Sequence, residues 1–329
     1  MSVGVITHLR NASIAETVRL ARAAEEAGAD WVGVPDAFWW RDTWVLLAEV
    51  ARATSTIAIG PLVTNPYLRH PFHTAAAVAT IQEIAGPRVF VGVGAGGSEV
   101  TGAAGVPRTD SPARIIELAR LLRRVADGGA LDPASGRSLE VPLTLPPVLV
   151  GGRGAGVLGA AGRVADRALL WAIPSSELEW SISQIDSGAA AGREAAGRRP
   201  QLIWAPLVDH DSSSREQVRL IAAYSVLNSR RKVRESWGLD DEAIRRLRKS
   251  LVAGGAANAA DLVPRRVIDD LITTSDPAVV AARARELGVG GIALPAFDIE
   301  TIGRRVEWAV SALAAAPAAA APAAAQGSR

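Results

Sequence analysis

The 329-residue chain contains no cysteine, which excludes disulfide bonds, thiolate metal sites and a cysteine nucleophile. This absence also suits a reducing compartment, and we expect a cytoplasmic protein. Lysine is almost missing too, because Lys232 and Lys249 are the only two and arginine carries nearly all the positive charge. Acidic and basic residues nearly balance at a formal net charge of +2. The composition therefore predicts no nucleic-acid partner.

Long hydrophobic runs are also missing. No segment reaches the roughly 18 consecutive apolar residues of a membrane-spanning helix, and the N-terminal MSVGVITHLRNAS lacks the pattern of a signal peptide. We expect no membrane partner. With 49% hydrophobic and 21% charged residues, most of the chain has the composition of a folded domain rather than of a disordered one. The Ala/Pro-rich tail, residues 314–329, has no periodic apolar face, and we predict that it is disordered.

Short apolar runs alternate with amphipathic helical stretches along the chain. This alternation predicts an α/β protein with a parallel sheet, and eight strand–helix units predict a single (β/α)8 TIM barrel over residues 1–313. The extra length lies after strands, at Gly96–Asp110 and in a helical insertion at about 213–260. Within the insertion, a helix-favouring region from about Ser213 to Leu251 is followed by a Gly/Ala-rich break at Ala253–Ala260. The predicted strands are Val3–Thr7, Trp31–Val34, Ile57–Val63, Arg88–Val93, Pro147–Val150, Ala168–Ala172, Gln201–Val208 and Gly290–Leu294.

Two glycine-rich segments directly follow predicted strands. In the first, VGVGAGG, residues Gly92, Gly94 and Gly97 have the G-x-G-x-x-G spacing of a dinucleotide loop. The match follows the fourth strand rather than the first, and Gly105 interrupts the helix that should come next, which argues against a dinucleotide-binding fold. The second segment, PVLVGGRGAG at Pro147–Gly156, also contains a cation, Arg153. Both would let backbone N–H groups approach a phosphate, although tight turns alone would also explain the glycines.

The loop after the second strand, VPDAFWWRDTW, begins with an acid and is rich in tryptophan. Asp36 follows the strand directly, where a carboxylate faces the mouth of a barrel. Trp39, Trp40 and Trp44 are costly to expose and would form a wall against a flat ring, whereas packing in the core explains any one of them equally well.

The run after the third strand, GPLVTNPYLRHP, places four polar side chains at a strand end: Thr64, Asn65, Arg69 and His70. His70 and His73 are three residues apart, a spacing that two metal ligands can have. No third ligand with suitable spacing accompanies them, so we predict no metal site.

Taken together, these segments resemble the bacterial luciferase-like family of barrel oxidoreductases, and within it the branch that uses the deazaflavin coenzyme F420. The order and spacing of the motifs carry the resemblance, which spans nearly all of residues 1–312. The matching segments are Gly33–Asp42, Ile57–Pro71, Arg88–Gly97 and Pro146–Trp171, with a weaker match at Ser275–Pro295.

The resemblance implies where the cofactor binds. It implies a cis peptide bond at Leu62–Val63 that supports the deazaflavin ring, with Asp36 beside the ring edge and Asn65 in polar contact with it. The predicted cofactor-binding residues are Asp36, Leu62, Val63, Thr64 and Asn65, with the two glycine loops Gly94, Ala95, Gly96, Gly97 and Gly151, Gly152, Arg153, Gly154 around the ribityl phosphate. The residues expected to bind substrate are Trp39, Trp40 and Trp171.

Two positions depart from the family pattern. Ala37 stands where several F420 enzymes have a proton-transferring histidine, and Gly97 replaces a frequent glutamate. Candidate proton donors are His8, Asp36 and His210. We predict that His8 and Asp36 are catalytic, with His8 preferred because imidazole titrates near neutral pH. A capping or packing role for His8 is equally compatible with the sequence.

The resemblance predicts hydride transfer between reduced F420 and a small organic substrate, in the reduction of a C=C or C=N bond. We expect a homodimer in secondary metabolism, acting on a small molecule or a peptide intermediate. One alternative is an FMN-dependent luciferase-like monooxygenase, and a further alternative is a non-catalytic barrel that binds a flavin-type ligand.

The predicted insertion carries two basic clusters. They would hold the acidic polyglutamate tail of F420, an acidic substrate or a peptide leader. They would equally form solvated helix faces, paired with Glu235, Asp240, Asp241 and Glu242. The clusters are Arg230, Arg231, Lys232 and Arg234, followed by Arg245, Arg246, Arg248 and Lys249.

Overall fold

The computed structural model describes residues 1–7, 12–210 and 212–314, without the side chains of 98–99, 212–215 and 254–257. The predicted tail lies outside these residues except for Ala314. The strands are β1 (Ser2–Thr7), β2 (Trp31–Val34), β3 (Ala58–Pro61), β4 (Val91–Gly94), β5 (Val148–Gly151), β6 (Arg167–Trp171), β7 (Gln201–Ala205), β8 (Leu207–Asp209), β9 (Ile272–Thr274) and β10 (Gly291–Ala296).

Helices connect these strands. They are α1 (Ile14–Glu26), α2 (Thr43–Ala53), α3 (Pro71–Ala85), α4 (Ser98–Ala103), α5 (Ser111–Ala126), α6 (Ala155–Val164), α7 (Leu178–Ala190), α8 (Ser212–Asn228), α9 (Arg231–Ser236), α10 (Asp241–Ala260), α11 (Arg265–Leu271), α12 (Pro277–Glu286) and α13 (Ile302–Ala314). Short 3-10 turns lie at Gly86–Arg88 and Ser175–Glu177. No helix in this described part of the chain is long and apolar enough to cross a membrane.

Eight of the strands form a parallel sheet in the order β3-β2-β1-β10-β7-β6-β5-β4. Two further parallel bridges, Ile59 to Val89 and Thr64 to Val93, link the edge strands β3 and β4. The sheet is therefore a nearly closed barrel with helices between the strands, and the predicted TIM-barrel fold is confirmed.

Local sequence signals explain several element boundaries. Ser13 and Glu16 form a capping box at the start of α1. Asp42 caps α2 by accepting from the N–H groups of Trp44 and Val45. Pro71 opens α3, where its missing N–H costs no helical hydrogen bond.

Two layers of core pack against the sheet. Aliphatic side chains of the strands and helices fill the outer layer, while the barrel interior contains Trp31 and Phe90 in an edge-to-face contact at 5.7 Å. A Cβ on Gly4 would lie 1.9 Å from the Trp31 ring, so this interior strand position has to be glycine for the indole to fit.

The chain leaves the barrel between β7 and α12. There β8 and β9 form a separate two-stranded parallel sheet, and α8 to α11 enclose a hydrophobic core of their own. The predicted break at Ala253–Ala260 is wrong, since α10 continues to Ala260. Alanine has the highest helix propensity, and burial of Ala259 and Ala260 holds the last turn in place.

Candidate active site

A cavity of about 170 Å³ opens at the carboxyl ends of the barrel strands. Six of the predicted site residues lie in its wall: Leu62, Val63, Gly151, Gly152, Arg153 and Trp171. The other wall residues are Ile6, Pro35 and Leu169. Residues that are up to 165 positions apart in sequence thus meet at the barrel mouth, where barrel enzymes hold their ligands.

The segment after β3 forms one side of this cavity. The Leu62–Val63 peptide bond is cis, as predicted. Val63 packs between the ends of β4 and β5, because a Cβ on Gly94 would lie 2.8 Å from Val63 Cγ2 and one on Gly151 would lie 3.3 Å from Val63 Cγ1. These two glycines therefore make room for the Val63 side chain.

Thr64 and Asn65 continue this segment and are buried. The Thr64 N–H donates to Gly92 O and its carbonyl accepts from Gly94 N, both at 2.9 Å, so the backbone is fixed to β4. Asn65 Oδ1 accepts from the N–H groups of Tyr67 at 3.1 Å and Leu68 at 3.0 Å. The amide oxygen of Asn65 thus organises its own loop.

Asp36 lies half-buried directly after β2. The Thr64 hydroxyl donates to Asp36 Oδ2 at 2.7 Å. Burial raises the pKa of Asp36 above its ordinary value, while the Thr64 hydrogen bond and the Arg69 charge oppose that shift. The carboxyl therefore keeps its proton to a higher pH than an exposed aspartate does, and Ala37 beside it is a buried apolar residue.

The two glycine loops differ. In the loop after β5, Gly154 begins α6 without a side-chain cap, and a Cβ there would meet no heavy atom within 4 Å. In the loop after β4, Gly96 adopts a left-handed φ of 71° and its carbonyl accepts from Arg108 at 2.9 Å. Among the residues that the structure describes, Gly94, Ala95, Gly96 and Gly97 are not part of the cavity wall.

Arg153 joins the cavity to the insertion. Its Nη1 donates to Ser225 Oγ at 2.8 Å and to Ser225 O at 3.1 Å, and its Nη2 to Trp171 O at 3.4 Å. Ser225, on α8, is fully buried and donates in turn to Ala172 O at 2.9 Å. The arginine predicted to meet a phosphate therefore also holds α8 against β6.

The tryptophans of the site occupy different environments. Trp171 lies in the cavity wall. Trp39 and Trp40 are 46% and 38% exposed, stack edge to face at 6.5 Å, and are not among the wall residues within the described chain. Trp44 is buried at the start of α2, with the Arg69 guanidinium 5.2 Å from its ring centroid. Core packing thus explains Trp44 but not Trp39 or Trp40.

The described histidines do not belong to the cavity wall. His8 lies outside the described residues. The His210 ring packs edge-on against Trp308 at 5.0 Å. His70 Nδ1 accepts from Phe72 N at 3.2 Å and caps α3. Within the described ranges, no three His, Asp or Glu side chains group as metal ligands would.

The basic clusters of the insertion form ion pairs. Arg231 pairs with Glu235 at 2.8 Å and Arg245 with Glu242 at 2.6 Å, which confirms the predicted pairing for these two acids. Arg230 pairs with Glu177 and lies 3.6 Å above the Trp180 ring. Of the other basic groups in the two clusters, Arg234 is half-buried, and the exposed ones are Lys232, Arg246, Arg248 and Lys249.

Sequence reasoning missed several residues around the cavity. Ile6, Pro35 and Leu169 are apolar and carry no chemical signature. Leu169 could have been found by strand periodicity, because it shares a face with Trp171 two positions on. Nothing in the sequence connects Arg153 with Ser225, since they are 72 residues apart and lie in different parts of the fold.

The chain forms a parallel barrel with a cavity at its strand ends, bounded by a cis peptide bond and a glycine loop. These are the features expected of the barrel oxidoreductases that the sequence resembles. The chain belongs to the luciferase-like monooxygenase family, whose model matches residues 1–293. The resemblance seen in the sequence is thereby confirmed.

Individual relatives are similar over most of the barrel. A 5,10-methylenetetrahydromethanopterin reductase of Archaeoglobus fulgidus is 28% identical over 82% of this chain and 85% of its own length. An F420-dependent hydroxymycolic acid dehydrogenase of Mycobacterium tuberculosis is 29% identical over 61% of this chain and 60% of its own. The solved structure of the coenzyme F420-dependent tetrahydromethanopterin reductase of Methanopyrus kandleri superimposes with a TM-score of 0.76 at 21% identity, covering 93% and 96% of the two chains.

Proposed function

We propose that this protein is a coenzyme F420-dependent oxidoreductase that transfers a hydride between the reduced deazaflavin and a small organic substrate. The observation that carries the proposal is the cavity between the cis Leu62–Val63 bond and the Gly151–Arg153 loop. It occurs in a chain of the luciferase-like family that is 29% identical to an F420-dependent dehydrogenase.

The residues present fit such a cofactor. Leu62, Val63 and Trp171 give the cavity apolar walls, as a planar ring requires. At Gly154 the start of the ten-residue helix α6 has no side-chain cap and faces open space. Its first N–H groups would bind the ribityl phosphate, and Gly151, Gly152 and Gly154 place no side chain in the way.

When bound, reduced F420 supplies a hydride, which adds two electrons to one end of a C=C or C=N bond. The protein then has to supply one proton to the other end. Asp36 is the proposed donor: its carboxyl is half-buried at the barrel mouth, and burial raises its pKa, which favours the protonated form that a donor needs. It would end the step as a carboxylate and regain its proton from solvent. His8 remains a second proposed donor.

Further aspects of the proposal rest on the sequence and on the family resemblance. They are a homodimer, a cytoplasmic location and a role in secondary metabolism. Exposed Trp39 and Trp40 follow β2 near the mouth and would contact the part of a substrate that extends beyond the cavity. A small molecule and a peptide intermediate both suit such a surface.

A titration of the purified apo-protein with F420 and, separately, with FMN tests the proposal. Cofactor fluorescence gives both dissociation constants under the same conditions. We expect micromolar or tighter binding of F420 and much weaker binding of FMN. The reverse preference would contradict the proposal and favour a flavin-dependent monooxygenase, whereas tight F420 binding without turnover of any acceptor would favour the non-catalytic barrel.

A further inference from the structure

The loop that follows β3 supplies two groups to the carboxyl of Asp36, which follows the neighbouring strand β2. Thr64 Oγ1 lies 2.7 Å from Asp36 Oδ2. Arg69 lies five residues further along the chain, and its positive charge favours the ionised form of Asp36. One short segment therefore brings a hydrogen-bond donor and a cation to the proposed proton donor.

Thr64 holds its hydroxyl at a fixed point. The residue is fully buried, and both of its backbone groups bond to β4, at Gly92 and Gly94. Since a carboxylate can only accept, the Thr64 hydroxyl is the donor in its contact with Asp36. A β-branched side chain on a backbone fixed at both ends has little freedom to turn away.

Arg69 is held in place by an aromatic contact. Its guanidinium lies 5.2 Å from the centroid of the buried Trp44 ring, and its Nε is a buried donor without a hydrogen-bond partner in the described part of the chain. The other charged group acting on Asp36 in that part of the chain is Asp42, whose like charge opposes ionisation. The Thr43 hydroxyl, which donates to Pro35 O at 2.6 Å, also favours the ionised carboxyl.

We propose that Thr64 is a positioning residue that holds the Asp36 carboxyl and that, together with the positive charge of Arg69, it determines the pH at which this carboxyl releases its proton. The Thr64 hydroxyl donates to Oδ2 of the ionised carboxyl, and Oδ1 takes no part in this bond. This inference rests on the proposed function, in which Asp36 protonates the substrate.

The expected direction follows from the geometry. The Thr64 hydrogen bond and the Arg69 charge both stabilise the carboxylate more than the neutral acid, so removing either makes the proton harder to release. Thr64→Val keeps the shape of the side chain but removes the donor, and Thr64→Ser keeps the donor. Arg69→Gln removes the charge, and Arg69→Lys keeps it while losing the planar contact with Trp44.

Titration of the Asp36 carboxyl in the apo-protein tests the proposal without cofactor or substrate. Aspartate labelled with ¹³C at the side-chain carboxyl is incorporated, and the Asp36 signal is identified by its loss in Asp36→Asn. We expect the titration midpoint to move to higher pH in Thr64→Val and in Arg69→Gln. Thr64→Ser and Arg69→Lys should titrate close to the unaltered protein.

An unchanged midpoint in both Thr64→Val and Arg69→Gln would overturn the proposal, as would an equal shift in the matched Ser and Lys variants. If circular dichroism shows that Thr64→Val does not fold, the comparison of Arg69→Gln with Arg69→Lys tests the proposal instead. The Arg69 side chain is only half-buried, so we expect both of these variants to fold. Binding of F420 is measured separately on the same proteins. If the midpoints shift as expected but the unaltered protein does not bind F420, the role of Thr64 and Arg69 stands and the proposed function is contradicted.

Discussion

Two carboxylates at opposite ends of the barrel have opposite pKa shifts. Glu25 lies near the end of α1, at the closed end, where its Oε1 accepts from the N–H groups of Ser55, Thr56 and Ile57 at 2.6–2.9 Å. Burial alone would raise its pKa, but these bonds lower it to about 2. At the open end, burial outweighs the bond from Thr64 and raises the pKa of Asp36.

The opposite pKa shifts mean that ionisation has opposite effects on stability at the two carboxyls. At the closed end the ionised carboxylate of Glu25 accepts hydrogen bonds from the segment before β3 and so holds α1 against it. Ionisation of Glu25 therefore stabilises the fold. At the mouth, the fold accepts a carboxyl that is harder to ionise than in the unfolded chain, so ionisation of Asp36 opposes stability. Groups of the second kind are typical of sites that transfer protons.

The largest effect on stability is expected from replacing Glu25 at the closed end of the barrel. Glu25→Ala leaves three backbone N–H groups without their acceptor and should lower the free energy of unfolding by about 2–3 kcal/mol. Urea unfolding measures it, with the exposed neighbour Glu26→Ala as the control. F420 binding should not change, and a large loss of binding would show that the two ends are not separate.

The same residue predicts a pH dependence. Because the folded pKa of about 2 lies below the ordinary 4.5, its contribution is complete above about pH 4.5 and is lost as the pH falls towards 2. The Glu25→Ala variant should therefore lose less stability on acidification than the unaltered protein. Parallel acid dependences of the two proteins would contradict the role given to Glu25.

A smaller effect is expected where the mouth meets the insertion. Arg153→Ala removes the bonds to Ser225 and should destabilise the docked α8 by about 1–2 kcal/mol, because a buried hydroxyl and carbonyl lose a donor. Hydrogen exchange of α8 should become faster while that of β1 and β2 stays the same. Ser225→Ala is the partner variant, and strictly additive effects of the two would show that the bond carries no energy.

The next effect concerns ligand binding at the start of α6. Gly154→Asp should weaken F420 binding about tenfold, since a carboxylate at the helix N-terminus repels the phosphate. Gly154→Asn is the matched neutral cap, and both side chains enter open space at an ordinary φ of −80°. Equal binding by the two variants would place the phosphate elsewhere.

The smallest effect is predicted at the mouth carboxylate itself. Because the folded protein holds the Asp36 proton more tightly than the unfolded chain does, Asp36→Asn should leave the melting temperature at neutral pH equal or slightly higher. It should also remove part of the decrease in stability between acidic and neutral pH. A clearly lower melting temperature would show that Asp36 stabilises the fold as Glu25 does.

Much of the fold followed from period and motif order. Apolar strands alternate with helical stretches, which predicts the barrel. Glycine and polar residues follow the strands, which predicts the position of the barrel mouth. The cis bond at Leu62–Val63 follows only from the family resemblance, because no local physical signal specifies it. The position of Asp36 at the mouth follows from its place after a predicted strand, and the resemblance adds that it lies beside the ring. The continuation of α10 through Ala260 combines the helix propensity of its alanines with packing against the insertion core, and the packing cannot be read from the sequence.

The side-chain partners in the site could not be predicted in the same way. Thr64 was singled out as a cofactor contact, but its bond to Asp36 joins loops 28 residues apart. Arg153 was interpreted as a cation for a phosphate, and its contact with Ser225 depends on how a separate insertion docks. Such pairs are set by the three-dimensional path of the chain, and neither partner differs in type from an ordinary surface residue.

A crystal structure of the protein with F420 bound would test the proposed cofactor site most directly. We predict the deazaflavin ring in the cavity against the Leu62–Val63 peptide, with its edge towards Asp36 and its phosphate at the start of α6. Density for F420 outside this cavity, or a ring placed away from Asp36, would contradict the central claim.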